Sequence, residues 1–129
     1  ATVNNLHHLF ELNIKTEKKF GLNTRFDFLI TNKKYRSFIE VKNVTLSREK
    51  TLAEFPDAVT TRGLKHINEL LKASKKNYKI FILYLIQRDD CKLFTIAKDI
   101  DPNYAIALSK AVKNKLKIFA MIVNFLQKE

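Results

Sequence analysis

Apolar residues recur along the chain with two different periods. A period of two residues is typical of strands, and a period of about 3.6 residues is typical of helices. Segments 25–31, 35–44 and 79–87 are rich in β-branched and aromatic residues, which is typical of strands. A polar turn joins the first two segments, so we expect them to form a hairpin. The third segment contains I-F-I-L-Y-L-I, without a polar interruption. It predicts a strand that is buried on both faces.

Helical spacing predicts three further elements. The apolar residues that define their faces are Leu6, Leu9, Phe10 and Ile14 in the first; Leu64, Ile67, Leu70 and Leu71 in the second; and Ala105, Leu108 and Val112 in the third. Thr60 or Thr61 is a suitable N-cap for the second helix. Asp101 followed by Pro102 is a cap and first-turn signal for the third.

The remaining segments complete an alternating order of elements. Short strands are predicted at 17–20 and 92–96, and a final apolar strand at 116–124. The polar stretch 45–57 is expected to be irregular. A chain of 129 residues can form one domain with a substantial core. The order predicts an α/β sandwich around a mixed sheet, with one helix crossing from the hairpin to the buried strand.

Charge narrows the classes of partner. The formal net charge is +11, which favours a polyanionic partner, with nucleic acid ahead of an anionic membrane. The alternative is that the lysine-rich composition reflects a biased genome.

The strongest apolar run is far shorter than the ~20 residues of a membrane helix. Cys91 is the single cysteine, so no internal disulfide can form. These features fit a reducing, cytoplasmic location without membrane contact.

The strand F-I-E-V-K-N-V-T-L carries charges where a half-buried strand rarely has them. Side chains two residues apart share a face, so Glu40 and Lys42 point the same way. Asp27 lies on the preceding strand, and its carboxylate converges with that of Glu40 if the register allows it. Two such carboxylates suit Mg²⁺, and Lys42 would orient or help deprotonate a water beside it. A solvated Glu–Lys pair is the alternative.

An acidic residue followed by E-x-K on the next strand is the arrangement of restriction-endonuclease-like nucleases. Four stretches also resemble the sugar fermentation stimulation protein A family between about Glu17 and about Ala120. They are R-F-D-F-L-I, F-I-E-V-K-N-V-T-L, A-E-F-P-D-A-V-T-T-R-G-L-K-H and D-I-D-P-N-Y-A. The resemblance implies a PD-(D/E)XK-type domain with a DNA-binding role and a nuclease site that uses Mg²⁺ or Mn²⁺. Carried over by position, it implies roles for Glu17, Arg25, Asp27, Glu40 and Lys42. Glu17 would be a third acidic metal ligand or a group that supports the ligands, and a surface glutamate beside Lys18 and Lys19 is the alternative.

The start of the second helix is a candidate DNA contact. Arg62, Lys65 and His66 lie in its first turns, and helix N-termini bind phosphate well. Plain solvated positions are the alternative. His66 is a weaker candidate for a general base, because the sequence shows no group that would orient it.

We therefore expect a restriction-endonuclease-like α/β fold, a mixed central sheet flanked by helices. Residues 1–129 would form one nuclease-like domain, without the N-terminal OB-like domain that the family usually carries. The predicted function is DNA binding with Mg²⁺-dependent phosphodiester hydrolysis. The alternative is a non-catalytic DNA-binding regulator, linked to sugar metabolism genes only through the family name. The oligomeric state is left open, with a homodimer as one option.

Overall fold

A five-stranded mixed sheet carries two helices on one face and joins a smaller three-stranded sheet. The computed structural model describes the backbone of residues 13–20, 24–31 and 33–123, and the side chains of 27–31 and 33–123. The elements are β1 (Asn13–Phe20), β2 (Thr24–Thr31), β3 (Arg36–Val44), β4 (Leu46–Glu49), β5 (Leu52–Phe55), α1 (Thr61–Lys75), β6 (Tyr78–Ile86), β7 (Leu93–Ile96), α2 (Pro102–Lys113) and β8 (Lys117–Ile122). Of the residues that define the predicted N-terminal helix, Leu6, Leu9 and Phe10 lie outside the described residues, whereas the prediction is wrong for Ile14, which lies in β1.

The large sheet has the strand order β1-β2-β3-β6-β8. Its first three strands are antiparallel, whereas β3, β6 and β8 run parallel. Parallel neighbours need crossover connections, and α1 and α2 supply them. The predicted mixed α/β sheet and the crossing helix between hairpin and buried strand are confirmed. In the described ranges, no helix has the length and apolarity to cross a membrane.

The core lies between the large sheet and the two helices. Alternate residues of β6 face the helices and are buried, whereas the residues between them are only partly covered. The buried residues on this side include Ile82 and Tyr84 of β6, Ile67 and Leu70 of α1, and Leu108 of α2. The prediction that this strand is buried on both faces is therefore wrong for the face opposite the helices.

The stretch 45–57 is ordered, and the prediction that it is irregular is wrong for eight of its residues. Strands β4 and β5 form an antiparallel pair, and β7 adds to it in parallel. The guanidinium of Arg48 bonds Glu54 at 2.8 Å and Asp99 at 2.6 Å, so it connects β4, β5 and the loop after β7. These strands have four residues each, and they are defined by pairing with one another rather than by a long apolar pattern within one of them.

Helix α2 presents a different face to the core from the predicted one. Tyr104, Leu108 and Ala111 are buried, whereas Val112 is 44% exposed. Tyr104 can enter the core because its hydroxyl lies 2.6 Å from the hydroxyl of Tyr84, so neither polar group lacks a partner. Leu108 is buried as predicted, whereas the prediction that Val112 faces inward is wrong, and Tyr104 was not among the predicted inward residues.

Asp101 couples the starts of the two helices. Its Oδ1 accepts a hydrogen bond from the Tyr104 N–H and caps α2, while its Oδ2 accepts from the Thr60 N–H at 2.8 Å. Thr60 in turn caps α1 by accepting from the Gly63 N–H. A Cβ on Gly63 would lie 2.9 Å from the Thr60 side chain and 3.0 Å from the Tyr104 ring, so the two helix starts are in close contact. This contact fixes where the second turn of α1 meets the sheet.

Replacing Asp101 by alanine should destabilise the fold by about 2–4 kcal/mol, because it removes one helix cap and leaves two buried N–H groups without acceptors. Urea unfolding monitored by circular dichroism measures the change. Asp89→Ala, at an exposed acidic residue in the β6–β7 connection, is the matched control. Equal unfolding midpoints for the two variants would contradict the coupling role.

Candidate active site

Strands β2 and β3 place two carboxylates level with each other where the strands separate. Their backbone pairing runs from Thr31–Arg36 to Phe28–Ile39, and the next positions along are Asp27 and Glu40. Instead of continuing the ladder, Oδ2 of Asp27 accepts a hydrogen bond from the Val41 N–H at 2.7 Å. The side chain of Asp27 therefore occupies the place of a backbone acceptor at the edge of a gap between the strands.

Glu40 is a buried carboxylate in contact with two basic side chains. It is 4% exposed. Its Oε2 lies 3.1 Å from Nζ of Lys42 and 2.7 Å from Nδ1 of His66. The same Nδ1 lies 2.9 Å from Nζ of Lys42, so the three side chains form one closed cluster. Glu40 and Lys42 reach His66 because alternate residues of β3 face α1.

The second oxygen of Glu40 has no partner. Among the described side chains, Oε1 of Glu40 is the one buried polar atom without a hydrogen bond. A buried charged oxygen without a partner costs free energy of folding, and it indicates a place where an external group would bind to that oxygen. Within the same residues, no group of three or more His, Cys, Asp or Glu is placed to enclose a metal ion. The described site therefore offers two carboxylates and not a complete cage.

The two carboxylates have opposite pKa shifts. For Asp27, burial and the nearby charge of Glu40 raise the pKa, against a lowering hydrogen bond from Val41. For Glu40, burial also favours the neutral acid, but bonding to His66 and the charge of Lys42 outweigh it and lower the pKa. Two carboxylates in one site with pKa values pushed apart are typical of functional sites.

The structure places the remaining predicted site residues as follows. Glu17 lies between Thr16 and Lys18 of β1, whose partners on β2 are Phe28 and Phe26, so its backbone is level with Asp27. The side chains of Glu17 and Arg25 are outside the described ones. Arg62 and Lys65 are exposed on the first turns of α1.

His66 is buried in the carboxylate cluster, although the sequence analysis grouped it with the exposed residues of the helix start. A signal for its burial was present: His66 is three residues after the buried Gly63 and four before the buried Leu70, on the apolar stripe of α1. Helical spacing alone therefore directs it to the sheet. Its partners could not be read from the sequence, because they come from another element.

Comparisons with known proteins agree with this architecture. A family model described as the sugar fermentation stimulation protein RE domain matches residues 2–129. A sugar fermentation stimulation protein homolog of Agrobacterium fabrum is 46% identical over 109 residues, which are 84% of this chain and 46% of that protein. A homolog of Pelagibacter ubique is 56% identical over 91 residues, 70% of this chain and 39% of that protein.

A solved structure has the same fold. The structure of Pyrococcus furiosus SfsA in complex with Ca²⁺ superimposes with a TM-score of 0.81 at 30% identity, and the match covers 94% of this chain and 52% of that one. The chain thus spans about half the length of the relatives it matches.

The fold and cluster define a class of α/β domain in which a mixed sheet and a crossing helix assemble two carboxylates, a lysine and a histidine. The chain belongs to the sugar fermentation stimulation protein family, and its matching part is the RE, or restriction-endonuclease-like, domain. The family resemblance predicted from the sequence is confirmed.

The opposite pKa shifts predict opposite stability effects for two isosteric substitutions in metal-free buffer at pH 7. The pKa of Asp27 is raised in the folded state, so its ionised carboxylate lowers the stability of the fold at any pH above that pKa. Asp27→Asn should therefore stabilise the protein. The gain should be less than about 1 kcal/mol, because solvent screens a half-buried charge. A lowered pKa means that ionised Glu40 contributes stability, so Glu40→Gln should cost about 1–3 kcal/mol.

The stability differences of both variants from the wild type should become smaller in acid. The cost of Asp27 decreases as the pH falls from its raised folded-state pKa toward the ordinary value of 3.8, and the contribution of Glu40 decreases as the pH falls below 4.5 toward its lowered folded-state pKa. Unfolding free energies at pH 7 and pH 4 measure both effects. Changes of the same sign at pH 7 would contradict the assigned shifts.

Proposed function

We propose that this domain binds DNA and hydrolyses its phosphodiester bonds with a divalent cation held by Asp27 and Glu40. The observation that carries the proposal is the buried, unpartnered Oε1 of Glu40 beside the Asp27 carboxylate. The family relationship supports a restriction-endonuclease-like domain of the PD-(D/E)XK type, and Asp27, Glu40 and Lys42 match its acidic residue and E-x-K pattern.

The residues present fit a small divalent cation. Carboxylate oxygens suit hard cations, and Mg²⁺ needs only one or two of them because it keeps several waters. The Ca²⁺ bound to the Pyrococcus furiosus relative supports a divalent cation here too. Glu17, level with Asp27 on β1, would be the third acidic ligand. When bound, Mg²⁺ or Mn²⁺ would polarise the phosphate and lower the pKa of a bound water.

Lys42 would position the attacking water and offset negative charge on the phosphate. Its ammonium group donates a hydrogen bond to Oε2 of Glu40 and lies 2.9 Å from Nδ1 of His66, which places it next to the carboxylates. In hydrolysis the water oxygen bonds to phosphorus and loses a proton, one ester P–O bond breaks, and the leaving oxygen takes up a proton. A fixed cation beside the phosphate stabilises the charge that develops during this exchange.

The charge of the protein supports DNA as the substrate. The net charge of +11 favours a polyanion. Arg62 and Lys65 are exposed at the start of α1, where the helix dipole also favours phosphate. Together with Arg25 on β2, they would hold the DNA backbone beside the carboxylates.

The second candidate is a non-catalytic DNA-binding regulator. It is favoured by the contacts of Glu40, because the ammonium group of Lys42 pairs with its Oε2 and Nδ1 of His66 lies 2.7 Å from the same oxygen, so the fold does not require a metal. If the domain is such a regulator, the carboxylate cluster is structural. DNA binding would then survive Glu40→Gln and need no divalent cation.

The test of the proposal is cleavage of plasmid and single-stranded DNA with Mg²⁺ or Mn²⁺. Asp27→Ala and Lys42→Met should each lower the cleavage rate by about 10²–10³-fold, the usual effect of losing a group that stabilises the transition state. EDTA should abolish cleavage by the wild-type protein.

Lys50→Met, at an exposed lysine next to the small sheet, is the matched control and should cleave like the wild type. Circular dichroism verifies that each variant is folded. If the folded wild type binds DNA but cleaves no substrate faster than Asp27→Ala does, the regulator replaces the nuclease.

A further inference from the structure

His66 has no step in the proposed hydrolysis, although it contacts the proposed metal ligand Glu40 directly. Its Nδ1 lies 2.7 Å from Oε2 of Glu40, and the two side chains are only 7% and 5% exposed. The imidazole ring comes from the buried face of α1, where Gly63 and Ile67 flank it. Because side chains in a packed core have few alternative positions, the position of Nδ1 relative to the sheet is fixed.

A hydrogen must lie between Nδ1 of His66 and Oε2 of Glu40. Their separation of 2.7 Å is a hydrogen-bond distance between a nitrogen and a carboxylate oxygen. Glu40 also pairs with the ammonium group of Lys42, so its carboxylate is ionised and can only accept. The hydrogen therefore belongs to Nδ1 of His66, which donates it to Oε2.

In the competing arrangement, Nδ1 carries no hydrogen and accepts one from Nζ of Lys42, which lies 2.9 Å away. That arrangement would place the lone pair of Nδ1 against a negatively charged oxygen at 2.7 Å, which is repulsive. Lys42 does not need Nδ1 as an acceptor, because it donates to Oε2 of Glu40 in either arrangement. The contacts therefore favour a hydrogen on Nδ1.

Both donors meet on the same oxygen of Glu40. His66 and Lys42 contact Oε2, whereas Oε1 is a buried atom without a partner among the described side chains. Lys42 reaches Oε2 through a flexible four-carbon stem, so its ammonium group alone could turn to either oxygen. The packed ring of His66 cannot follow such a rotation. The hydrogen bond from His66 therefore keeps the carboxylate in one orientation.

We infer that His66 is a positioning residue, which donates its Nδ1–H to Oε2 of Glu40 and so keeps Oε1 available for the divalent cation. The inference rests on the metal site of the proposed function, since without a cation at Glu40 there is nothing to position. Removing a group that orients a metal ligand typically lowers metal affinity or activity by about 10–100-fold.

Nuclear magnetic resonance of the metal-free wild-type protein tests the hydrogen bond itself. Nitrogen chemical shifts distinguish a ring nitrogen that carries a hydrogen from one that does not, and His66→Asn identifies the signal by its absence. We expect a hydrogen on Nδ1 of His66, with a signal that shifts in Glu40→Gln, where a neutral amide replaces the carboxylate. A wild-type Nδ1 without a hydrogen would overturn the inference, because His66 would then hold Lys42 instead of Glu40.

Mn²⁺ binding in the absence of DNA tests the positioning role. His66→Leu removes the donor, whereas His66→Asn keeps an N–H group at the position of Nδ1. Isothermal titration calorimetry should show Mn²⁺ binding about 10–100-fold weaker in His66→Leu, and His66→Asn should recover most of that loss. Leu70→Val, one turn along the same buried face of α1, controls for lost packing and should bind like the wild type. Weaker binding in Glu40→Gln verifies that the titrated site is the one at Glu40.

Equal Mn²⁺ affinity in His66→Leu and the wild type would overturn the positioning role, and the proposed function would stand if the wild type cleaves DNA. Equal losses in His66→Leu and His66→Asn would overturn the positioning role too, because the donor would then not matter. A folded wild type that binds no Mn²⁺ would reject the metal site and the positioning role together, even with a hydrogen on Nδ1.

Discussion

The contact of the buried Glu40 carboxylate with Lys42 and His66 is the interaction on which the arrangement of the site depends. A carboxylate that is 4% exposed is tolerated inside a protein only if opposite charge or hydrogen bonds compensate it. Lys42 comes from the same face of β3, and His66 comes from α1, so the contact joins the sheet to its crossing helix. The compensation is incomplete, since Oε1 is left without a partner.

The rest of the fold places these groups. The parallel pairing of β3 with β6 requires a crossover, and α1 makes it over the face that carries Glu40. Asp101 caps α2 and accepts a hydrogen bond from the N–H of Thr60, the N-cap of α1, so it holds the start of α1 against α2 shortly before His66. Asp27 enters from β2 where the ladder ends, and its pKa is raised by burial first and by the nearby charge of Glu40 second. The protein thus neutralises one carboxylate and leaves the other to an external cation, which supports the proposed metal site.

Local patterns were sufficient to predict the elements with strong periodicity. Alternation along R-F-D-F-L-I and F-I-E-V-K-N-V indicated the hairpin, and the caps at Thr60 and Asp101 indicated where both helices begin. Asp27 and Glu40 were paired in advance because both were charges in otherwise apolar strands, and the hairpin sets them level.

The features that were missed depend on contacts between distant elements. Strands β4 and β5 pair with each other, and the Arg48–Asp99 contact from β4 to the loop after β7 spans 51 residues and has no local signature. The phase of α2 depends on the hydroxyl pair of Tyr84 and Tyr104, and the role of His66 depends on a strand 24 residues away. The predicted parts of Glu17 and Arg25 in the site stay predictions, because their side chains lie outside the described residues.

The most direct measurement of the central claim is a crystal structure of the protein soaked with Mn²⁺, in which anomalous scattering locates the cation. We predict an anomalous peak that is coordinated by Oε1 of Glu40 and by a carboxylate oxygen of Asp27. The distance from the cation to each oxygen should be about 2.0–2.2 Å, within a tolerance of about 0.2 Å. The peak should be absent from the Glu40→Gln variant. A wild-type crystal with no peak between these carboxylates, or with Mn²⁺ bound only elsewhere, would contradict the assignment of the site.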